Sequence, residues 1–258
     1  MRRAIALHWP EYLSEAAGLG LFMLSACAAG LLLYHPDSPG PAAIPHELIR
    51  RALMGVAMGL TAVGLVYSPW GRRSGAHLNP AVTLAFWRLH KIAGWDAIFY
   101  GLAQFAGGAA GILIAAVASG GLIAHPSLNF FPTLPGPGGV TVAFVAEVVI
   151  SFGLMTIVLT ASNTPRLAPF TGILAGPLVA LYITLEAPLS GMSMNPARTF
   201  ASALGAHVWT AFWVYLTAPP LGMLLAVELH RRRRALVLCA KLHHDATSRC
   251  IFRCGYRK

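Results

Sequence analysis

From Ala97 to Ala146 the chain runs for fifty residues without a single Asp, Glu, Lys or Arg. A soluble domain carries about 25% charged residues. Here the figure is 11%, with 56% hydrophobic residues and a mean hydropathy of +0.63. That is less than half the charge a water-facing surface needs, so the chain reads as an integral membrane protein. Further uncharged runs cover 16–34, 52–71, 148–165, 167–185 and 199–227. A helix crossing the bilayer needs about 20 mostly apolar residues. The fifty-residue run is broken by Ser119-Gly120-Gly121 and by Pro126, Pro132, Pro135 and Pro137, so it divides into two spans around an irregular loop. The expectation is an all-α membrane protein with six spans, near 12–33, 50–68, 97–118, 140–160, 167–186 and 207–229.

The net charge of +10 does not point to nucleic acid. Arg231 to Lys258 alone holds nine basic residues and one acid, so most of the excess belongs to a tail behind an apolar body. Basic residues in short loops mark the cytoplasmic side. Six spans place both termini together with Arg2, Arg3, Arg72, Arg73, Arg88, Lys91, Arg166 and the tail, 16 of the 19 basic residues. Both termini are therefore expected in the cytoplasm of a cell-membrane protein, with 119–139 facing outward. Met1-Arg2-Arg3 before an apolar stretch resembles a signal peptide, but the uncharged run continues through 16–34 without a clear small-x-small cleavage site, which favours a retained first span.

Two apolar stretches fit no span. Gly75 to Phe86 falls in an inner loop and Gly191 to Ser202 in an outer one. Shifted by 116 residues they share the leading Gly, Asn79-Pro80-Ala81 with Asn195-Pro196-Ala197, Thr83 with Thr199, and Ala85 with Ala201. An acid precedes each in an apolar helix, Glu15 in span one and Glu147 in span four. Three spans separate the halves, about 10–118 and 140–230, so they enter the membrane from opposite sides as an inverted repeat. Asn is a strong N-cap and Pro suits the first helical turn. Each box thus reads as the start of a half-helix of ten residues, about 15 Å long, with Gly205 as the C-cap of the second. Two half-helices meeting at the midplane would line a narrow channel with positive dipole ends and two Asn donors. The carbonyls of Gly75, Ala76 and His77, and of Gly191, Met192 and Ser193, would be the acceptors along it. Such a centre opposes cations and protons while passing water.

With those residues in view, the chain resembles an aquaporin of the major intrinsic protein family: Ser74 to Ala85 matches the family's first box and Met194 to Phe200 its second. The likeness covers roughly residues 10–230, which makes 1–230 an aquaporin-like channel domain and leaves 231–258 as a basic cytoplasmic tail. It implies six transmembrane helices plus two re-entrant half-helices, a homotetramer with one pore per subunit, and Glu15 and Glu147 as buried structural acids. It also implies a narrowest ring, the selectivity filter, at Met58, Ile183, Met192 and Arg198. Thr199 in place of the Asp typical of glycerol facilitators, Ala203, and Phe212-Trp213 match the water-channel branch. The ring lacks the aromatic residue and His usual in strict water channels, so leakage of glycerol-like neutral solutes is expected, a glycerol facilitator being the alternative.

Other classes fit less well. An enzyme would need a nucleophile–base pair or a ligand cluster at membrane depth, and a coupled transporter would want intramembrane charges beyond Glu15 and Glu147. No cofactor or metal is expected. Cys239, Cys250 and Cys254 read as reduced thiols, and Cys250 and Cys254 with His243 and His244 match no zinc spacing, so the tail's composition reads as incidental. Lipid and the transported solutes are the expected partners.

Overall fold

The computed structural model describes residues 1–245 and 247–256; Arg257 and Lys258, two of the tail's basic residues, lie outside them. The described residues are helical or irregular, with no strand among them. Eleven α-helices are labelled in chain order: α1 (Arg2–Tyr34), α2 (Pro39–Ala43), α3 (Glu47–Tyr67), α4 (Pro69–Ser74), α5 (Pro80–Arg88), α6 (Gly94–Ala118), α7 (Gly139–Ser162), α8 (Thr171–Leu185), α9 (Ala187–Ser190), α10 (Pro196–Ala206) and α11 (Phe212–Arg232). Among the described residues six helices are long and apolar enough to cross a membrane: α1, α3, α6, α7, α8 with the turn before it, and α11. Their outward faces carry Leu60, Leu102, Val117, Val149 and Leu181 exposed, as a surface solvated by lipid requires.

The packing follows the repeat. In the first half α1 lies against α6, in the second α7 lies against α11, and α3 meets α8 between the halves. The half-helices cross over: α5 packs on α11 and α10 on α6. Helices without a hydrophobic drive toward one another associate where small residues let backbones approach. The α1–α6 seam shows this, because a Cβ built on Gly107 would run into the backbone of Ala16.

The element boundaries depart from the sequence reading in three places. Helix α1 starts at Arg2, with Pro10 inside it. The uncharged-run criterion missed these turns because their polar residues are paired: Tyr12 Oη donates to Asp96 at 2.5 Å, His8 Nδ1 lies 2.8 Å from the same carboxylate, and Glu11 meets Arg73 at 3.3 Å. The second half-helix ends at His207, in the left-handed region at φ 54°. Gly205 is a helical residue, and its missing Cβ makes room for Ile112 and Phe130. The last span begins at Phe212, after Ala211 turns the chain at φ 52°.

Gly107→Val should be the most damaging single change in the α1–α6 seam. Its branched side chain meets backbone that cannot swing aside, and overpacking costs about 1–3 kcal/mol or more. Thermal unfolding in detergent should show a clear loss relative to Gly101→Val, whose position opens on free space. Equal stability of the two variants would contradict the packing described.

Candidate functional site

Each box is reached through a short helix, α4 or α9, that ends on a glycine in the left-handed region: Gly75 at φ 95° and Gly191 at φ 79°. The next residues repeat one unusual path, with positive φ at Ala76 and Leu78 and again at Met192 and Met194. Alternation of this kind keeps the backbone from closing on itself as helix, so its polar groups need other partners at membrane depth.

Two buried carboxylates supply partners for the N–H groups. Glu15 accepts from the backbone N–H of His77 at 3.0 Å and of Leu78 at 2.6 Å, from Ser74 Oγ at 2.7 Å and from Gln104 Nε2 at 2.7 Å. Glu147 repeats the pattern with the N–H of Ser193 at 2.7 Å, the N–H of Met194 at 2.8 Å and Ser190 Oγ at 2.8 Å. Tyrosine hydroxyls brace the same loops, Tyr100 on the Ser74 carbonyl at 2.7 Å and Tyr215 on that of Ser190 at 2.6 Å.

The two asparagines then tie the boxes to each other. Asn79 Oδ1 caps α5 by accepting from Ala81 N at 2.8 Å, while its Nδ2 donates across to the Met194 carbonyl at 2.6 Å. Asn195 Oδ1 caps α10 by accepting from Ala197 N at 3.1 Å and Arg198 N at 3.2 Å, and its Nδ2 donates to the Leu78 carbonyl at 2.7 Å. A side-chain amide has two N–H donors, of which this strap uses one. Pro80 and Pro196 take the first helical turn, and Ala81 and Ala197 are fully packed behind them.

A cavity of about 580 Å³ runs past both boxes and is lined by Asn79 and Asn195, by Ala76, His77, Gly191, Met192 and Ser193, and by Met58, Ile183 and Arg198. Gly75 is the departure from the expected set of pore acceptors. It is not among the lining residues, and its carbonyl accepts the N–H of Leu242 at 3.1 Å. His77 is likewise more than a carbonyl: its ring bonds Thr83 Oγ1 at 3.0 Å and the Ala240 carbonyl at 2.8 Å. On the second-box side the Arg198 guanidinium is bonded by Thr133 Oγ1, which itself accepts from Thr199 Oγ1 at 3.2 Å. Thr133 was invisible in the sequence because it sits in a Pro/Gly loop without periodicity. Ser190, Tyr100, Tyr215 and Gln104 were equally unmarked, although Ser190 stands 116 residues after Ser74, the first residue of the first-box match.

The tail after α11 does not trail away. Lys241 is buried and donates to the carbonyls of Arg72 at 2.6 Å and Arg249 at 2.7 Å, and burial holds its ammonium below the usual lysine range. Leu242 stands among the residues lining the cavity, on the first-box side.

Opposed half-helices, capped and cross-tied around a continuous cavity inside six membrane-length helices, define a transmembrane channel. The model of the Major intrinsic protein family matches residues 3–230, and the chain belongs to that family, whose members are channels for water or small neutral solutes and not enzymes. It is 36% identical over 191 residues, 69% of this chain and 74% of the other, to the probable aquaporin AqpM of Archaeoglobus fulgidus. It is 35% identical over 230 residues, 86% of this chain and 72% of the other, to aquaporin NIP2-1 of Zea mays. The aquaglyceroporin from Plasmodium falciparum shares the fold, with a TM-score of 0.68 at 20% identity over 86% of this chain and 95% of that one.

Glu147→Ala would strand the N–H groups of Ser193 and Met194 in a dry core, at about 1–3 kcal/mol each. Glu147→Gln retains one carbonyl acceptor. In detergent, unfolding of the Ala variant should therefore occur at clearly lower temperature than that of the Gln variant, with both below wild type. An unchanged melting temperature in both would contradict the bracing role.

Proposed function

We propose that the chain is a passive water channel that also leaks small neutral solutes of the glycerol class. The observation that carries the reading is the composition of the cavity wall beside Arg198. The guanidinium brings a fixed charge and several donors, suited to solute oxygens and hostile to cations. The other three residues assigned to this ring, Met58, Ile183 and Met192, are apolar and line the same cavity. With methionines as adaptable neighbours, a solute's carbon backbone can slide along that side while its hydroxyls face Arg198.

Features of the second half favour water as the main solute. Thr199 stands where glycerol facilitators carry Asp, and its hydroxyl lies 2.5 Å from Ser193 Oγ, extending a chain of hydroxyls to Thr133 behind Arg198. Ala203 is buried. Trp213 is exposed on the outside of α11, so Phe212-Trp213 supports the reading through family likeness alone. The relatives named aquaporins and the neighbour named an aquaglyceroporin support both solutes.

Regarding the assembly and its orientation, we place both termini in the cytoplasm, on the strength of the 16 basic residues on that side, and the protein in the cell membrane. The apolar outer faces of four copies, each with its own pore, would pack as a homotetramer.

Stopped-flow light scattering on proteoliposomes tests the solute reading. Water permeability should rise well above that of empty vesicles, glycerol permeability should rise measurably, and Ile183→His should cut glycerol flux more than water flux. Glycerol permeability equal to that of empty liposomes would make the protein a strict water channel. For orientation, an impermeant thiol reagent should label Ser127→Cys in intact cells, whereas labelling only after lysis would reverse the topology.

A further inference from the structure

The segment that follows α11 contains no helix or strand among its described residues, yet it is pinned to the channel along its length. Leu238 N donates to Asn163 Oδ1 at 2.6 Å and Leu242 N to the Gly75 carbonyl at 3.1 Å. Further along, Arg253 N donates to the Lys91 carbonyl at 2.9 Å and Tyr256 Oη to the Ser162 carbonyl at 3.2 Å. The Phe252 ring stacks on the His77 ring, 5.5 Å between centroids and 16° from parallel. Irregular segments this short rarely hold one shape on their own apolar contacts and are usually stapled by a disulfide or a metal.

Within it, Cys239, His244, Cys250 and Cys254 bring their ligand atoms within 4.8 Å of one another. Cys239 Sγ is 3.5 Å from Cys250 Sγ, and Cys254 Sγ is 3.2 Å from His244 Nε2. A tetrahedral ion with metal–sulfur bonds near 2.3 Å and metal–nitrogen bonds near 2.0 Å spaces its ligand atoms roughly 3.5–3.8 Å apart, so the four donors stand close to the required edges. The His244 ring is held from one side by Tyr256, 4.2 Å away and 22° from parallel. By spacing alone Cys250 and Cys254 with His243 and His244 read as incidental. In the structure His243 packs instead on Tyr67, 4.9 Å between ring centroids, and Cys239 takes the remaining corner, a partner eleven residues from Cys250 that short-range spacing did not reveal.

We propose that Cys239, His244, Cys250 and Cys254 form a Cys3His site for a single divalent ion of the zinc class, and that this ion holds the tail over the first-box mouth of the pore. The donor set selects the metal, since thiolates and imidazole suit borderline-soft ions while magnesium and calcium take oxygen ligands. Binding needs no oxidant or reductant: each cysteine thiol releases its proton to solvent and the sulfur donates a lone pair to the ion. Three thiolates leave the occupied site with one negative charge, and the buried Lys241 ammonium lies two residues from Cys239. The four ligands order the backbone that carries Leu242 to the cavity and Phe252 to His77.

The test uses the full-length protein purified in detergent with reductant and without chelator. Elemental analysis should find about one zinc per chain, lost in Cys250→Ser/Cys254→Ser and kept in Cys27→Ser. Cobalt(II) added to the metal-free protein should give the intense absorption of tetrahedral cobalt thiolate, absent from the double variant. These readouts do not depend on channel activity, so they can fail or succeed independently of the solute reading. Equal metal content in wild type and double variant, or no cobalt band, would overturn the site, as would a Cys239–Cys250 disulfide found in protein prepared without reductant. In proteoliposomes, chelation should raise water permeability severalfold to the level of the double variant. Bound metal with unchanged permeability on its removal would overturn its hold on the mouth.

Discussion

In the middle of a bilayer a backbone N–H with no partner costs several kcal/mol, and the pore loops of this chain place irregular backbone at that depth twice. Everything else in the site follows from how those groups are met. Glu15 and Glu147 each take two successive N–H groups of a loop whose alternating left-handed residues prevent it from closing as helix. The carboxylate satisfies the N–H groups of the loop, while the carbonyls of Leu78 and Met194 accept the asparagine donors. Both acids are fully buried, a burden tolerated only because each is surrounded by donors. The asparagine straps and the meeting of the half-helices hang on these two braces.

The inverted repeat was legible because it is a local pattern written twice. Asn followed by Pro specifies a cap and a first turn wherever it occurs, and α5 and α10 begin at Pro80 and Pro196. The six spans followed from hydropathy for the same reason: burial in lipid is decided residue by residue. What the sequence concealed is relational. Thr133 matters only because Arg198 reaches it, and Gly205 packs against α6 instead of ending α10 because a neighbour needs the space. The Gly75 carbonyl is lost to the pore because a residue 167 positions later bonds to it. Charge pattern also marked the tail as an appendage, when a buried lysine and four metal-type donors make it part of the channel body.

The two ends of the pore are therefore unlike, although the halves that build them are related. On the second-box side the wall is Arg198 with its hydroxyl partners Thr133 and Thr199, the charged group of the filter proposed above. On the first-box side the repeat is overlaid by Leu242 and by Phe252 stacked on His77, an apolar cover supplied from outside the repeat.

The central claim is that the cross-tied asparagines and opposed helix ends hold a water file whose hydrogen bonds point away from the middle, which conducts water and not protons. Osmotic water flux and proton flux measured in the same proteoliposomes, with a pH dye inside, test it most directly. The account predicts fast water flux with proton leakage no greater than that of empty vesicles, and a measurable leak in Asn195→Asp, where an acceptor and a negative charge replace a donor. Proton conductance in the wild-type protein that rises in step with water flux would contradict it.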